Sequence, residues 1–223
     1  MRQTLVLPNA QFFPKITGDD HEKAEAVFAS VKGMMGLDSW PCTLIAQERT
    51  NAQIGEFTML LPEKSAAGTF QSIEGEVYVT YDPMLLTRPY NLVTTFAHEL
   101  AHYLPHSIAE PAPGVDVEPK LEELATEMAV AYHGFGVIAA NAAFDFQQTH
   151  DFGRQGWSGG SWGYFSEEAW VFALAIFLAL RDEDSATARA HLNPHLAPKL
   201  DKAMKRLRSE REFLSALAIQ RQA

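Results

Sequence analysis

Cysteine, long apolar runs and positive charge are all scarce in this chain. A single cysteine in 223 residues, Cys42, excludes an internal disulfide and fits a reducing compartment. The longest apolar run, Ala169 to Leu180, falls short of the ~20 residues that a bilayer-spanning helix needs. Met1 to Gly18 carries Pro8 and Pro14 but lacks the apolar stretch of a signal peptide, so a cytoplasmic protein is expected. Eighteen Lys and Arg against 28 Asp and Glu leave a formal charge of −10, which argues against nucleic acid and against an anionic membrane as partners. The glycines near 153–163 fit neither a dinucleotide nor a P-loop pattern, and no repeat or Ser/His/Asp arrangement is readable.

What remains is an ordinary globular composition, 47% hydrophobic and 21% charged, and a chain long enough to bury a sizeable core. One domain over 1–223 is expected, with a helix and a small sheet over about 1–90 and a mainly helical part over 91–223. His21 to Met35 has helical apolar spacing, Asp19 or Asp20 as cap and Gly36 just past its end. Cys42 to Gln47, Ile54 to Leu61 and Glu76 to Tyr81 read as short strands, part of a mostly antiparallel sheet. Gly75 to Tyr81 is the last of them, and Asp82-Pro83 ends it.

The strongest chemical signal is His98-Glu99-Leu100-Ala101-His102, an H-E-x-x-H pattern. Leu92, Val93, Phe96, Leu100 and Leu104 recur around it at helical spacing, with Asn91 as candidate N-cap and Pro105 as stop. Residues four apart share a helix face, so both imidazoles can reach one cation with Glu99 beside them. Zinc suits such a site, and Glu99 is then placed to act as general base on a water.

A second informative stretch follows Pro119. It reads as one long buried helix to Asn141, in which Glu123 and Glu127 share a face and Gly134 and Gly136 permit close helix contact. A carboxylate among apolar neighbours, as Glu127 is, needs a partner. Ser166 caps another buried helix, and Leu196 to Ile219 reads as one amphipathic helix with a basic face. Asp145 to Tyr164, rich in glycine, reads as irregular.

These features together resemble a gluzincin-type zinc metallopeptidase, a group in which H-E-x-x-H is followed on a second helix by E-x-x-x-D. The resemblance implies an α+β, zincin-like fold, with a small sheet ahead of a buried helical bundle that carries the motif, and with the Gly75 to Tyr81 strand as an edge strand that lines the cleft and pairs with an extended peptide. It implies Zn2+ held by His98, His102 and Glu123, with Glu99 as catalytic base. Glu127 stands where the family has aspartate, as a partner of the first histidine or as an alternative third ligand. Thermolysin-like members use a His and a Tyr to stabilise the oxyanion, and Tyr164, His150 and His133 are the candidates here. Val93 to Tyr103, Glu122 to Asn141 and Gly163 to Arg181 are also similar to a bacterial zincin-like family with no substrate assigned to it. The implied function is a zinc-dependent hydrolase, a metallopeptidase acting on peptide or protein. The alternative is a zinc-containing or metal-free partner-binding protein. Oligomeric state is not readable.

Overall fold

A computed structural model describes residues 3–15, 17–47, 51–54, 57–60, 67–104, 119–151 and 165–220. For 51–54, 57–60, 119–120, 144–151, 211 and 218–220 it describes the backbone alone. The fold is α+β: helix α1 (Asp20–Met35), five short strands, then helices α2 (Pro89–Tyr103), α3 (Pro119–Tyr132), α4 (Gly136–Asp151), α5 (Glu167–Ala179), α6 (Ser185–His191), α7 (Ala197–Ser209) and α8 (Arg211–Gln220). No described helix is long and apolar enough to cross a membrane.

Local sequence accounts for α1. Asp19 accepts from the Glu22 N–H while Glu22 reaches back to the Asp19 N–H, and Gly36 ends the helix at φ +74°. Such caps contribute about 1 kcal/mol each. The helix buries Ala24, Phe28, Val31 and Met35, and Phe28 meets Phe96 of α2 edge-on at 5.2 Å.

The sheet is mixed rather than mostly antiparallel. Strand β5 (Glu76–Tyr81) lies in the middle, parallel to β1 (Thr43–Ala46) and antiparallel to β4 (Gly68–Ile73). Strands β2 (Asn51–Ile54) and β3 (Phe57–Leu60) form a separate hairpin. The strand expected to line a cleft is therefore central, and β1 and β4 are the outer strands. Glu74 and Gly75, both at positive φ, close a two-residue turn between β4 and β5. Tyr81 of β5, almost fully buried, packs edge-on against Phe96 at 5.7 Å, which fixes the sheet on α2.

Helix α2 is the hub. It touches α1, α3, α4, β4 and β5, and so it is buried nearly all round. It begins at Pro89, not after Asn91, because proline at the first helical position loses no hydrogen bond. Asn91 lies inside the helix, 1% exposed, and its amide has no hydrogen-bond partner among the described residues.

Two helices expected to be continuous are broken. The long one after Pro119 divides at His133–Phe135, where Gly134 takes φ +94° and its carbonyl accepts from the Val6 N–H. A Cβ at Gly134 would lie 2.1 Å from the Thr4 carbonyl oxygen, so only glycine admits the N-terminal segment there. The C-terminal helix divides at Glu210, whose φ and ψ of −105° and 52° leave the helical region. Residues 145–151, expected to be irregular, continue α4. At Gly136 a Cβ would meet Leu174 at 3.1 Å, the close α4–α5 contact that the sequence suggests. Ser166 caps α5 by accepting from the Ala169 N–H. Arg181, nearly buried, donates to the carbonyls of Gln3, Phe177 and Tyr132, tying the N-terminal segment to the ends of α3 and α5.

Candidate metal centre

Helices α2 and α3 run antiparallel at the site: His102 lies opposite Glu122 and Glu123, and His98, one turn earlier, lies opposite Glu123 and Glu127. Each helix contributes residues four apart, which stack on one face. His98 Nε2 is 3.2 Å from His102 Nε2 and 3.2 Å from Glu123 Oε2, and His102 Nε2 is 3.7 Å from the same oxygen. These three residues form a group that could hold a metal ion.

The other nitrogen of each ring faces a different neighbour. His98 Nδ1 lies 3.6 Å from Glu127 Oε1. His102 Nδ1 lies 3.4 Å from the Thr126 hydroxyl and 3.6 Å from Glu122 Oε1. Glu127 thus faces the back of the first imidazole, while Glu123 alone faces both Nε2 atoms. Buried Glu127 finds there the partner that its surroundings demand.

Glu99 sits on the sheet side of α2. Its carboxylate accepts from the Phe70 N–H of β4 and feels the charges of His98 and Glu123. Desolvation is the largest influence on it, and the acid's pKa is pushed up to about 7. Gly68 makes the close approach of β4 possible, since a Cβ there would lie 3.0 Å from Glu99 Cγ and 2.7 Å from Thr95 Cγ2. The Phe70 ring stacks over His102, with centroids 6.4 Å apart, and walls one side of the group.

Strand register gives the edge of β4 a direction. The Asp82 N–H donates to the Ala67 carbonyl, and the register pairs Thr69 with Thr80 and Gln71 with Tyr78. Odd-numbered residues therefore turn their backbone groups toward β5, and Gly68, Phe70 and Ser72 turn theirs outward, to the side where Phe70 meets Glu99. Among the described residues, no strand pairs with this outer edge.

The charged groups influence one another strongly. Burial works against charged His98, but its hydrogen bond to Glu123 and the charges of Glu127 and Glu99 outweigh this and raise its pKa. His102 is lowered, first by burial and then by the charge of His98. Glu123 is held below the ordinary carboxylate value, chiefly by its hydrogen bond to His98.

Other expected site residues are not brought together with this group. His133 lies at the end of α3, ten residues past Glu123 and so ~15 Å along the helix. It is buried, and desolvation followed by the charge of Arg181 pushes its pKa down to about 4. His150 falls in the last turn of α4, where only the backbone is described, and Tyr164 lies outside the described residues. Half-buried Cys42 stands just before β1 with its thiol pKa raised by burial, and it is not part of the group. Thr126, Glu122 and Phe70 join the site without having been singled out in the sequence. Glu122 and Thr126 had a signal in their spacing of four, one position before Glu123 and Glu127. Phe70 had one in the strand-like run Thr69 to Ile73, followed by a glycine turn.

No protein-family model, curated protein or solved structure matches the chain.

Proposed function

We propose that the chain is a zinc-dependent hydrolase of zincin-like, gluzincin type, and specifically a peptidase acting on extended peptides. The observation that carries this reading is the triangle of His98 Nε2, His102 Nε2 and Glu123 Oε2, with sides of 3.2, 3.2 and 3.7 Å, beside the Glu99 carboxylate. Donors ~2.0–2.2 Å from one tetrahedral centre lie ~3.3–3.6 Å from each other, close to these separations. Two imidazole nitrogens and one carboxylate oxygen suit zinc better than calcium or magnesium, which favour all-oxygen sets. Bound zinc supplies Lewis acidity toward a carbonyl oxygen and toward water.

The remaining chemistry belongs to the chain. Glu99, whose pKa burial lifts to about 7 in the metal-free site, takes a proton from the attacking water and returns it to the leaving amine. Its bond from the Phe70 N–H aims one carboxylate oxygen and keeps it from turning toward Glu123. The outward backbone groups of Gly68 and Ser72, on either side of the Phe70 N–H that Glu99 already takes, offer a rail on which an extended peptide pairs as an added strand. That rail runs beside Glu99, so a carbonyl held on it arrives near both the base and the ligand triangle. Glu127 and the group around His102 Nδ1 orient the two imidazoles. A reducing, cytoplasmic compartment completes the proposal, on the strength of the single half-buried Cys42.

The test is Glu99→Gln, assayed on a library of unstructured peptides by mass spectrometry with zinc present. The variant should keep its fold and its zinc, because Glu99 faces β4 and lies outside the triangle. Cleavage should fall by ~10²-fold or more. Equal cleavage by wild type and variant would trace the activity to a contaminant and turn the reading to a partner-binding protein.

A further inference from the structure

The two nitrogens of His102 face groups of different kinds, and those on the Nδ1 side decide where the ring carries its proton. Thr126 is 1% exposed, and its hydroxyl lies 2.9 Å from the backbone carbonyl of Glu122, one turn earlier on α3. A carbonyl oxygen only accepts, so the single hydroxyl proton of Thr126 is committed to it. Toward His102 Nδ1, 3.4 Å away, the Thr126 oxygen has only lone pairs to offer. Glu122 Oε1, 3.6 Å from the same nitrogen, also only accepts when ionised. Both groups facing Nδ1 therefore call for a proton on it.

The Nε2 side calls for the opposite. His98 Nε2, which donates to Glu123 Oε2 at 3.2 Å, lies 3.2 Å from His102 Nε2 and offers it a proton to accept, whereas a proton fixed on His102 Nε2 would occupy the point that the two imidazoles and Glu123 share. Neutral imidazole carries one N–H, and the hydrogen bond made by one nitrogen sets the role of the other.

We propose that Thr126 is a positioning residue for His102: it holds the imidazole with its proton on Nδ1, so that the Nε2 lone pair is directed at the point shared with His98 and Glu123. The inference rests on reading that point as a metal position, and it gives the second imidazole an orienting partner other than a carboxylate. A buried hydroxyl suits the task because it adds no charge. Glu127 already places one buried carboxylate behind His98, and a second buried beside it would face like-charge repulsion and desolvation. Glu122, on the exposed side of the same nitrogen, is 37% exposed and therefore a weaker anchor.

The experiment compares wild type, Thr126→Val and Thr126→Ser, each chelated and labelled with nitrogen-15 in histidine. Valine keeps the shape and removes the acceptor, and serine keeps the hydroxyl. Two-bond proton–nitrogen correlations at about pH 8, where free imidazole is neutral, report which nitrogen of His102 carries the proton. Wild type and Thr126→Ser should show it on Nδ1, and Thr126→Val should move population to Nε2. Zinc affinity, read by competition with a chromophoric chelator, should fall ~10–100-fold in Thr126→Val and stay within ~3-fold in Thr126→Ser. A wild-type His102 protonated on Nε2 overturns the proposal, whether or not the valine variant folds. So does a folded Thr126→Val with wild-type tautomer and affinity. A wild type that takes up no zinc yet shows the Thr126-dependent tautomer retires the metal reading and keeps the assignment of Thr126.

Discussion

Replacing Gly68 with alanine loads the point where β4 comes closest to α2. An added methyl would lie 2.7 Å from Thr95 Cγ2, 2.9 Å from the Thr80 carbonyl oxygen and 3.0 Å from Glu99 Cγ. Carbon atoms settle at ~3.5–4.0 Å, so relief requires movement of roughly 1 Å. Rotating a side chain cannot supply all of it, because one obstacle is β5 backbone. Sheet and helix must separate, or β4 must twist. Overpacking of this kind costs ~1–3 kcal/mol. At ~2–4 °C per kcal/mol for a chain of this length, the melting midpoint should fall by ~2–12 °C. The same movement stretches the Phe70 N–H bond to Glu99, so cleavage should suffer more than zinc content, because the proposed ligands all lie on α2 and α3. Thermal unfolding by circular dichroism, with zinc measured on the same samples, reads both effects. A Gly68→Ala protein that melts within about 1 °C of wild type would refute the close approach of β4 to Glu99.

Other consequences follow from the charges and from the break between α3 and α4. In metal-free protein, Glu99 has a folded pKa of about 7 against an ordinary 4.5, so between these values the unfolded chain gives up a proton that the folded chain keeps. Stability should therefore fall as pH rises through that window, by up to ~1.4 kcal/mol per pH unit, and level off above it. Glu99→Gln should lack this slope, and parallel urea-unfolding profiles for the two proteins would contradict the assignment. Glu123→Gln should empty the site, whereas Glu127→Gln should weaken zinc by only ~10–100-fold; chelator competition giving the reverse order would exchange their roles. Gly134→Ala should cost at least ~1–2 kcal/mol from its left-handed backbone alone, plus the clash with Thr4, and an unchanged denaturation midpoint would count against the break there.

The sequence was most legible where local chemistry decides. The capping box at Asp19 and Glu22, the left-handed Gly36 and the Ser166 cap are short-range devices, and each lies where the residues suggest. That a carboxylate of the second helix meets His98 and His102 was also legible, since Glu123 and Glu127 share one face; the choice of Glu123 came from the resemblance alone, and the structure groups Glu123 with the two histidines. Less legible was what depends on distant chain. Gly134 breaks a continuous helical pattern because the N-terminal segment docks on it, and nothing local announces Thr4. Strand β4 holds only six residues and is half exposed, so its alternation is weak, and the order β1-β5-β4 cannot be read from its neighbours. Thr126 looks like an ordinary polar residue on a helix until α2 is laid beside it.

The central claim is that His98, His102 and Glu123 hold zinc, and elemental analysis tests it most directly. The protein should be purified without a histidine tag and without added metal, then compared with His98→Ala and with a chelated sample. The account predicts close to one zinc per chain in wild type, loss of that zinc to a strong chelator, recovery on adding zinc back, and none retained by His98→Ala. A fully folded wild-type protein that carries no zinc and refuses it when offered would contradict the account.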